Sequence, residues 1–436
     1  MRAAILSIGD ELVTAGTIDS NSEWLAGQLA SRAVTTVQRR VVGDDRDSIV
    51  RAVGELADVC EALLITGGLG PTPDDLTRAA LGDVLAPGRP LESDPVAMQH
   101  LNRWFKKRPG KMPPSNLAQA QRPHGTRSVP NPLGTAMGIA GRLGECMIFA
   151  MPGPPHEMQT MFLDQVLPQL PLPDAGQVVL TAGVHAYGLG ESMAAERLGP
   201  ITARDNRPLV GITVSESIVT ARIQAKGPLQ QAQRELENAA SVIMRQWRPY
   251  AFGRDDDSLS SAVGSLLRES DRTLATAESC TGGLLGKMLV DVAGSSAYYL
   301  GGWVTYSDVL KTSCLGVPQQ VLQEHGAVSE PAVCAMAEGA LARSGADYSL
   351  AITGIAGPDG GSTPKPVGTV YVGLGQSPDD QVIVSIRRFE FPGDRSAIRD
   401  RAAKTALQML RFVLLDSPAS TALLWEVSAS VDCGEC

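Results

Sequence analysis

Strand-like and helix-like segments alternate at the start of the chain, and this alternation restricts the fold more than any other feature of the sequence. Short apolar runs at 3–8, 37–42 and 62–66 have the length of buried strands. The segments between them, 21–33 and 49–57, carry apolar residues at helical spacing. Successive strand–helix–strand units form a parallel sheet with right-handed crossovers, and ligands bind beyond the carboxyl ends of its strands. The sequence therefore predicts an α/β domain with a ligand site at that edge.

The chain has 436 residues, which is too long for one ordinary hydrophobic core. A proline-rich stretch at 170–176 reads as a linker, and the pattern changes again near residue 258. We predict an α/β domain over 1–172, a small α+β domain over 177–253, a second α/β domain over 258–416 and a tail over 417–436.

Composition excludes several classes of protein. The formal charge of −9 gives no electrostatic reason to expect nucleic acid as a partner. No apolar run is long enough to span a membrane. Seven cysteines without regular spacing favour a reducing, cytoplasmic environment, and the terminal pair Cys433 and Cys436 is interpreted as a frayed tail. Because proline-linked domains often need partner contacts, we also expect a homo-oligomer.

Ser279 lies at a predicted strand-to-helix turn in the segment TAESCTGG at 276–283. Such a turn exposes a hydroxyl, and the amides at the start of a helix can stabilise an oxyanion. One interpretation is a nucleophile, and the alternative is a serine that only caps the helix. Cys280 and Thr281 are rival nucleophiles, although no histidine neighbours the thiol to activate it.

A serine nucleophile needs a base, and His325 is the one histidine of this domain. Lys311 is a second candidate, because it follows Tyr306 by five residues and is expected one turn into a helix facing the same cleft. A lysine acts as a base only when neutral, so burial or a nearby positive charge must lower its pKa. The alternative for Lys311 is an exposed helix lysine.

Two further segments of this domain are candidates for holding a substrate. The glycine-rich loop at 353–361 follows a strand and offers backbone amides to a phosphate, although glycine-rich hairpin loops are common. Arg395 and Arg399 lie at the start of the last helix, where guanidinium groups and helix amides suit a phosphate monoester. The alternative there is a surface capping arrangement.

The motifs of this domain, taken together, resemble the carboxy-terminal domain of the competence/damage-inducible CinA family. They are TAESCTGG at 276–283, GWVTYS at 302–307 with Lys311, HGAVSEP at 325–331, ITGIAGPDGG at 352–361 and KPVGTV at 365–370. The resemblance implies a CinA-type α/β amidohydrolase that converts nicotinamide mononucleotide to nicotinate mononucleotide and ammonia, in pyridine nucleotide salvage, without a cofactor.

The resemblance also implies roles for particular residues. Ser279 would attack the carboxamide, and Lys311, assisted by Tyr306, would transfer the protons. The residues implied in substrate binding are Thr281, Gly282, Gly283, Gly354, Gly357, Arg395 and Arg399.

The amino-terminal motifs resemble the three-layer molybdopterin-binding fold of the MoaB/MogA type. They are SIGDEL at 7–12, VGDD at 42–45, TGGLGPTPDDLT at 66–77, NPLGTA at 131–136 and MPGPPHEM at 151–158, with Met137 where proline is expected. The implied site residues are Asp10, Asp44, Gly67, Gly68, Asp74 and Asp75. Asp44 and Asp75 match functional acids, and two carboxylates near a phosphate loop suit a divalent metal.

The resemblance implies ADP-ribose pyrophosphatase activity for this first domain and a KH-like fold for the middle one. The alternative function is a pterin- or nucleotide-binding scaffold linked to competence or the DNA damage response, because a shared fold does not establish chemistry. A third interpretation, an RNA- or DNA-associated protein, is disfavoured by the acidic chain. We expect small-molecule nucleotides as partners, with neither nucleic acid nor membrane.

Overall fold

The structure, a computed structural model, describes residues 1–106, 111–172, 177–377, 381–418 and 421–433. The chain forms two compact units. Unit 1 contains Met1–Leu180 and Lys226–Gln233, and unit 2 contains Thr181–Ala225 and Arg234–Cys436. Positions 173–176 of the predicted linker and Cys436 of the terminal cysteine pair lie outside the described residues.

The first domain alternates strands and helices as its sequence predicts. Its strands are β1 (Arg2–Ile8), β2 (Thr35–Val42), β3 (Ala62–Thr66), β4 (Glu92–Ser93), β5 (Gln121–Arg122), β6 (Arg127–Val129), β7 (Gly138–Leu143) and β8 (Cys146–Met151). Its helices are α1 (Asp10–Val13), α2 (Ser20–Ala30), α3 (Arg46–Ala57), α4 (Thr77–Leu85), α5 (Pro95–Lys106) and α6 (Pro155–Met161). Helix α2 is capped by Asp19, whose carboxylate accepts the Ser22 amide over 3.0 Å.

The main sheet of this domain has the strand order β2-β1-β3-β8-β7-β6. Strands β2, β1, β3 and β8 are parallel, and β7 and β6 continue the sheet antiparallel. Alternate residues of β1 enter two different cores. Leu6 packs with α3 and α4 side chains, whereas Ile5 packs with α2 and α6 side chains. The domain therefore has three layers, with helices covering both faces of the sheet.

The middle domain has a small α+β fold. Its strands are β9 (Gln177–Tyr187), β10 (Leu209–Ser215), β11 (Ile218–Pro228) and β12 (Ala251–Arg254), and its helices are α7 (Glu191–Leu198) and α8 (Leu229–Gln246). They form a sheet in the order β10-β11-β9-β12, in which β10 and β11 are an antiparallel hairpin.

The carboxy-terminal domain is a second α/β fold. Its strands are β13 (Leu274–Glu278), β14 (Tyr299–Val304), β15 (Tyr348–Gly354), β16 (Thr369–Gln376), β17 (Ile383–Glu390) and β18 (Glu426–Cys433). Its helices are α9 (Leu259–Glu269), α10 (Leu284–Val290), α11 (Asp308–Leu315), α12 (Gln319–His325), α13 (Glu330–Ser344) and α14 (Arg395–Leu414). Ser258 caps α9 in a capping box with Ser261.

The sheet of this domain has the order β14-β13-β15-β16-β17-β18. Strand β13 is parallel to both of its neighbours, and the strands beyond β15 are antiparallel. The carboxyl ends of β13, β14 and β15 consequently share one edge. Ser279, Tyr306 and Gly354 all lie at that edge, because each follows or ends one of these strands.

The predicted tail over 417–436 is wrong where it includes residues 426–433. These residues form β18 and pair with β17 at the end of the sheet. Apolar residues alternate strictly with polar ones over 426–433, and this alternation is the strand signal that the sequence analysis missed. None of the described helices combines the length and apolar character needed to cross a bilayer.

Candidate active site

Ser279 and Lys311 meet at the shared edge of the carboxy-terminal sheet. Ser279 follows β13 directly, and Lys311 lies in α11, which Ser307 caps through the Leu310 amide. The Lys311 Nζ lies 3.2 Å from the Ser279 Oγ, and both side chains are buried. The two residues predicted as nucleophile and base are therefore within direct proton-transfer distance.

The surroundings of Lys311 favour its neutral form. Its side chain is 1% exposed, and burial lowers the pKa of the amine, against the opposing charge of Asp308 at 3.9 Å. The Nζ also donates to the Thr305 carbonyl over 3.0 Å and to the Tyr306 carbonyl over 3.3 Å. A neutral amine has two N–H groups, which these carbonyls can accept, so its lone pair is left for the hydroxyl proton of Ser279.

Tyr306 contacts Lys311 through its main chain, whereas its phenol points to another group. The phenol is 60% exposed, and its oxygen accepts from the Arg395 Nη2 over 3.2 Å. The same guanidinium donates through Nη1 to the Gly357 carbonyl over 2.8 Å. Arg395 therefore joins the end of β14 to the glycine-rich loop after β15.

Arg399 holds the turn that follows the serine. Its Nη2 donates to the Thr281 carbonyl over 2.6 Å, and the adjacent Gly282 and Gly283 have positive φ values of 59° and 91°. Arg395 and Arg399, which were predicted to bind phosphate, thus both donate to backbone carbonyls of the site.

Two glycines, one at the end of β15 and one in the loop that follows, leave no room for a side chain. A Cβ at Gly354 would lie 2.6 Å from a Val370 methyl group, and one at Gly357 would lie 2.6 Å from a Val367 methyl group. Gly357 also has a φ of 74°. Both glycines are therefore required for the close approach of this loop to the 367–370 segment.

Glu278 is a residue of the site that the sequence analysis missed. Its buried carboxylate accepts the amides of Gly283, Leu285 and Gly286 over 2.9, 3.1 and 2.8 Å. The amides at the start of α10 are thus already bound, which corrects the expectation that they are free for an oxyanion. An acid just ahead of a helix start was the available signal, because carboxylates are stabilised there.

Cys280 is poorly suited as a rival nucleophile. Its side chain is buried, and burial raises the pKa of the thiol to about 12. The reactive thiolate is therefore scarce near neutral pH.

The predicted amino-terminal residues surround a cavity of about 340 Å³ in unit 1. Its lining includes Asp44, Gly67, Gly68, Asp74 and Asp75, and extends to the 152–154 turn after β8. Asp10 joins this edge through reciprocal hydrogen bonds, in which each of Asp10 and Asp44 accepts the amide of the other over 3.0 Å. The sequence therefore brings its predicted residues to one edge of the sheet.

Asp75, the second carboxylate of the predicted metal pair, accepts hydrogen bonds from its own loop. One of its oxygens accepts the Gly70 amide over 2.7 Å, and the other accepts the Thr72 amide over 2.8 Å and the Thr72 hydroxyl. Asp75 therefore stabilises its own loop. Within the parts of the chain that the structure describes, no group of three or more His, Cys, Asp or Glu side chains is arranged to hold a metal.

Asp44 is electrostatically different from Asp75. Burial raises the pKa of its carboxyl, and the nearby charges of Asp10, Glu11 and Asp74 act in the same direction, against the hydrogen bond from the Asp10 amide. This concentration of negative charge disfavours a bare anion beside Asp44.

Three protein-family profiles match the chain in order. The one described as "Probable molybdopterin binding domain" matches residues 4–172, the damage-inducible protein CinA KH domain matches 183–253, and the CinA C-terminal domain matches 256–414.

Whole-length relatives give the same result. The chain is 42% identical to a CinA-like protein of Geobacter sp. (strain M21) over 417 residues, 95% of this chain and 98% of that protein. It is 39% identical to a CinA-like protein of Nostoc sp., covering 95% of this chain and all of the relative.

Solved structures of the CinA superfamily are similar to a part of the chain. A Klebsiella pneumoniae protein is 38% identical, with a TM-score of 0.34, over 36% of this chain and 96% of its own. The competence/damage-inducible protein CihA of Agrobacterium tumefaciens is 39% identical, with a TM-score of 0.34, over 36% of this chain and 93% of its own.

Proposed function

The chain belongs to the CinA family of competence- and damage-inducible proteins, and we propose that its carboxy-terminal domain hydrolyses the amide of nicotinamide mononucleotide. The products are nicotinate mononucleotide and ammonia, as in pyridine nucleotide salvage. The observation that carries this proposal is the 3.2 Å separation between the Ser279 Oγ and the buried Lys311 Nζ. A serine with a desolvated lysine beside it is equipped for acyl transfer without a metal.

The reaction follows from the positions of these groups. Neutral Lys311 removes the hydroxyl proton while the Ser279 Oγ bonds to the carboxamide carbon. The resulting ammonium returns the proton to the leaving nitrogen, so ammonia departs and an acyl ester remains on Ser279. Water, activated by the same amine, then cleaves the ester and releases the carboxylate.

The test is ammonia release from nicotinamide mononucleotide by the full-length chain, its Ser279→Ala variant and a Ser265→Ala control. Ser265 is a half-buried serine of α9, outside the site. We expect turnover by the wild type and the control and none by Ser279→Ala. Turnover that survives in Ser279→Ala refutes the nucleophile, and no turnover by the wild type refutes the reaction.

The need for the phosphate is tested by comparing nicotinamide mononucleotide with nicotinamide riboside and nicotinamide. Arg395 and Arg399 each use one or two N–H groups on the protein, and a guanidinium has five, so donors remain for a phosphate. We expect kcat/KM to fall steeply without the phosphate. Equal turnover of all three compounds excludes both arginines as a phosphate site.

A second activity is proposed for the amino-terminal cavity, namely cleavage of the ADP-ribose pyrophosphate with a divalent cation. The supporting observation is Asp44, a partly buried carboxyl among three other acids beside a glycine-rich loop. Bound Mg²⁺ commonly uses one or two carboxylates together with substrate phosphates. Because Asp75 stabilises its own loop, Asp44→Asn is the cleaner variant.

We expect the wild type to cleave ADP-ribose with Mg²⁺ or Mn²⁺ and Asp44→Asn to be inactive while still folded. Binding of ADP-ribose without cleavage under any of these cations favours the nucleotide-binding scaffold instead.

A further inference from the structure

The amides at the start of α10 are not available to stabilise an oxyanion, so another donor is needed near Ser279. Glu278 accepts three of these amides through its buried carboxylate. Its negative charge at the same place would also repel a developing oxyanion. The residues between Ser279 and the helix are the next candidates, because they directly follow the nucleophile in the sequence.

That turn is closed by a hydrogen bond from the Gly282 amide to the Ser279 carbonyl over 3.1 Å. A bond of this kind does not use the amides of the two central residues, Cys280 and Thr281. The Thr281 amide has no acceptor among the described residues. It is two positions from the nucleophile and in a backbone conformation that the turn fixes.

The side chain of Thr281 is a second, independent observation. Thr281 is 0% exposed, and its Oγ1 has no hydrogen-bond partner within the described part of the chain. A buried hydroxyl without a partner destabilises a protein, because it loses its hydrogen bonds to water and forms none with the protein. Beside a nucleophile, such a group is a candidate to complete its hydrogen bonding with the substrate.

The position of Thr281 is held from outside the turn. The Arg399 Nη2 donates to its carbonyl over 2.6 Å, and this charge-assisted bond joins the turn to α14. Donors that are fixed before the reaction stabilise a transition state without reorganisation. Arg399 is thereby a positioning residue for Thr281.

We propose that Thr281 is a catalytic residue, whose hydroxyl and amide hydrogen-bond the oxyanion formed when Ser279 attacks a carboxamide. This inference rests on the deamidase proposed above. As the Ser279 Oγ–carbon bond forms, the carbonyl π electrons move to oxygen and Lys311 takes the hydroxyl proton. The oxygen accepts from both donors of Thr281 until the electrons return and the carbon–nitrogen bond breaks.

The test is Thr281→Val, which removes the hydroxyl and keeps the shape of the side chain. We expect kcat to fall by about a hundredfold, with KM within threefold of the wild type, because the bond forms only in the transition state. The melting temperature should stay equal or rise, since an unsatisfied hydroxyl is lost. Thr281→Ser, which keeps the hydroxyl, should recover most of kcat.

The matched control is Tyr298→Phe. Tyr298 also has a fully buried hydroxyl without a partner in the described residues, but its carbonyl accepts the Leu274 amide at the opposite end of β13. We expect its kcat to be unchanged. An aryl boronic acid adds a second readout, because it forms a tetrahedral adduct on an active-site serine. Its affinity should fall in Thr281→Val in parallel with kcat/KM.

Wild-type kcat in Thr281→Val, or an unchanged boronate affinity, overturns the role of Thr281. If Thr281→Val does not fold, the comparison of Thr281→Ser with Thr281→Ala decides, and equal kcat in these two overturns it as well. An inactive wild type refutes the deamidase itself, whereas an active wild type with an active Thr281→Val refutes only this inference.

Discussion

Replacing Lys311 by methionine tests whether one buried amine controls both activity and stability. Methionine is unbranched and flexible, so it fills nearly the same space with little repacking. It cannot accept the proton of Ser279, and we expect kcat to fall by about 10⁴-fold. Substrate affinity should change little, because the amine acts on the nucleophile rather than on the nucleotide.

The effect on stability depends on pH in a definite direction. Burial lowers the pKa of Lys311 in the folded protein below its ordinary value of 10.5. Between the folded and the unfolded pKa, the unfolded chain binds more protons than the folded one. The free energy of unfolding of the wild type therefore rises with pH in this window, by up to about 1.4 kcal/mol per pH unit for one proton. Below the folded pKa this contribution is constant.

The assay compares urea unfolding of the wild type and Lys311→Met from pH 7 to 10.5, together with kcat/KM of the wild type. Subtracting the variant removes the titration of all other groups. We expect the stability difference to begin rising at the pH where kcat/KM reaches its plateau, since both report the same free-enzyme pKa. The exposed Lys287→Met is the control and should show no such rise. The reasoning is refuted if the stability difference does not depend on pH. It is also refuted if the pH at which this difference begins to rise lies more than one unit from the pH at which kcat/KM reaches its plateau.

Two further substitutions test the surroundings of the site, and a third tests a helix of the first domain. Cys280→Ala should release ammonia at the wild-type rate. In the folded wild type, Cys280 should resist iodoacetamide, because its thiol is buried and protonated. Loss of activity in Cys280→Ala would instead assign the nucleophile to the thiol. Gly339→Ala should lower the free energy of unfolding by about 1–3 kcal/mol, because its Cβ would lie 2.0 Å from the Leu315 carbonyl at the end of α11. It should also lower kcat, because α11 carries Lys311. Gly27→Ala, a helical position with open space around it, should instead stabilise by about 0.5–1 kcal/mol in the same unfolding assay.

The pairing of Ser279 with Lys311 could be predicted because it depends on local rules. Each residue follows a short apolar strand, and neighbouring parallel strands end at one edge of a sheet. Lys311 is the fourth residue of α11, so it lies one turn into the helix that follows β14. Spacing alone left a capping serine and an exposed lysine as alternatives, and the resemblance to the CinA family selected the nucleophile and base, which the structure places 3.2 Å apart.

The functions of the arginines could not be predicted in the same way. Arg399 contacts the Thr281 carbonyl across 118 residues of sequence, and Arg395 contacts the Tyr306 hydroxyl across 89. Such contacts depend on how α14 packs, which no local pattern encodes. A similar limit applies to Asp75, because motif matching identifies an acid but does not show that its oxygens already accept loop amides.

Helix α14 joins two parts of unit 2, and this has a consequence for the site. Arg399 holds the turn after the serine, while Arg401 donates to the Ser217 hydroxyl over 2.9 Å and Lys404 to the Glu216 carbonyl over 2.9 Å, both at the tip of the β10–β11 hairpin. Charged donors of this kind contribute about 1.5–3 kcal/mol each when they are well paired. Because a helix moves as a nearly rigid rod, these contacts with the middle domain also restrict where Arg399 can lie. The tip of the β10–β11 hairpin is thus part of the scaffold that holds the Thr281 turn within unit 2.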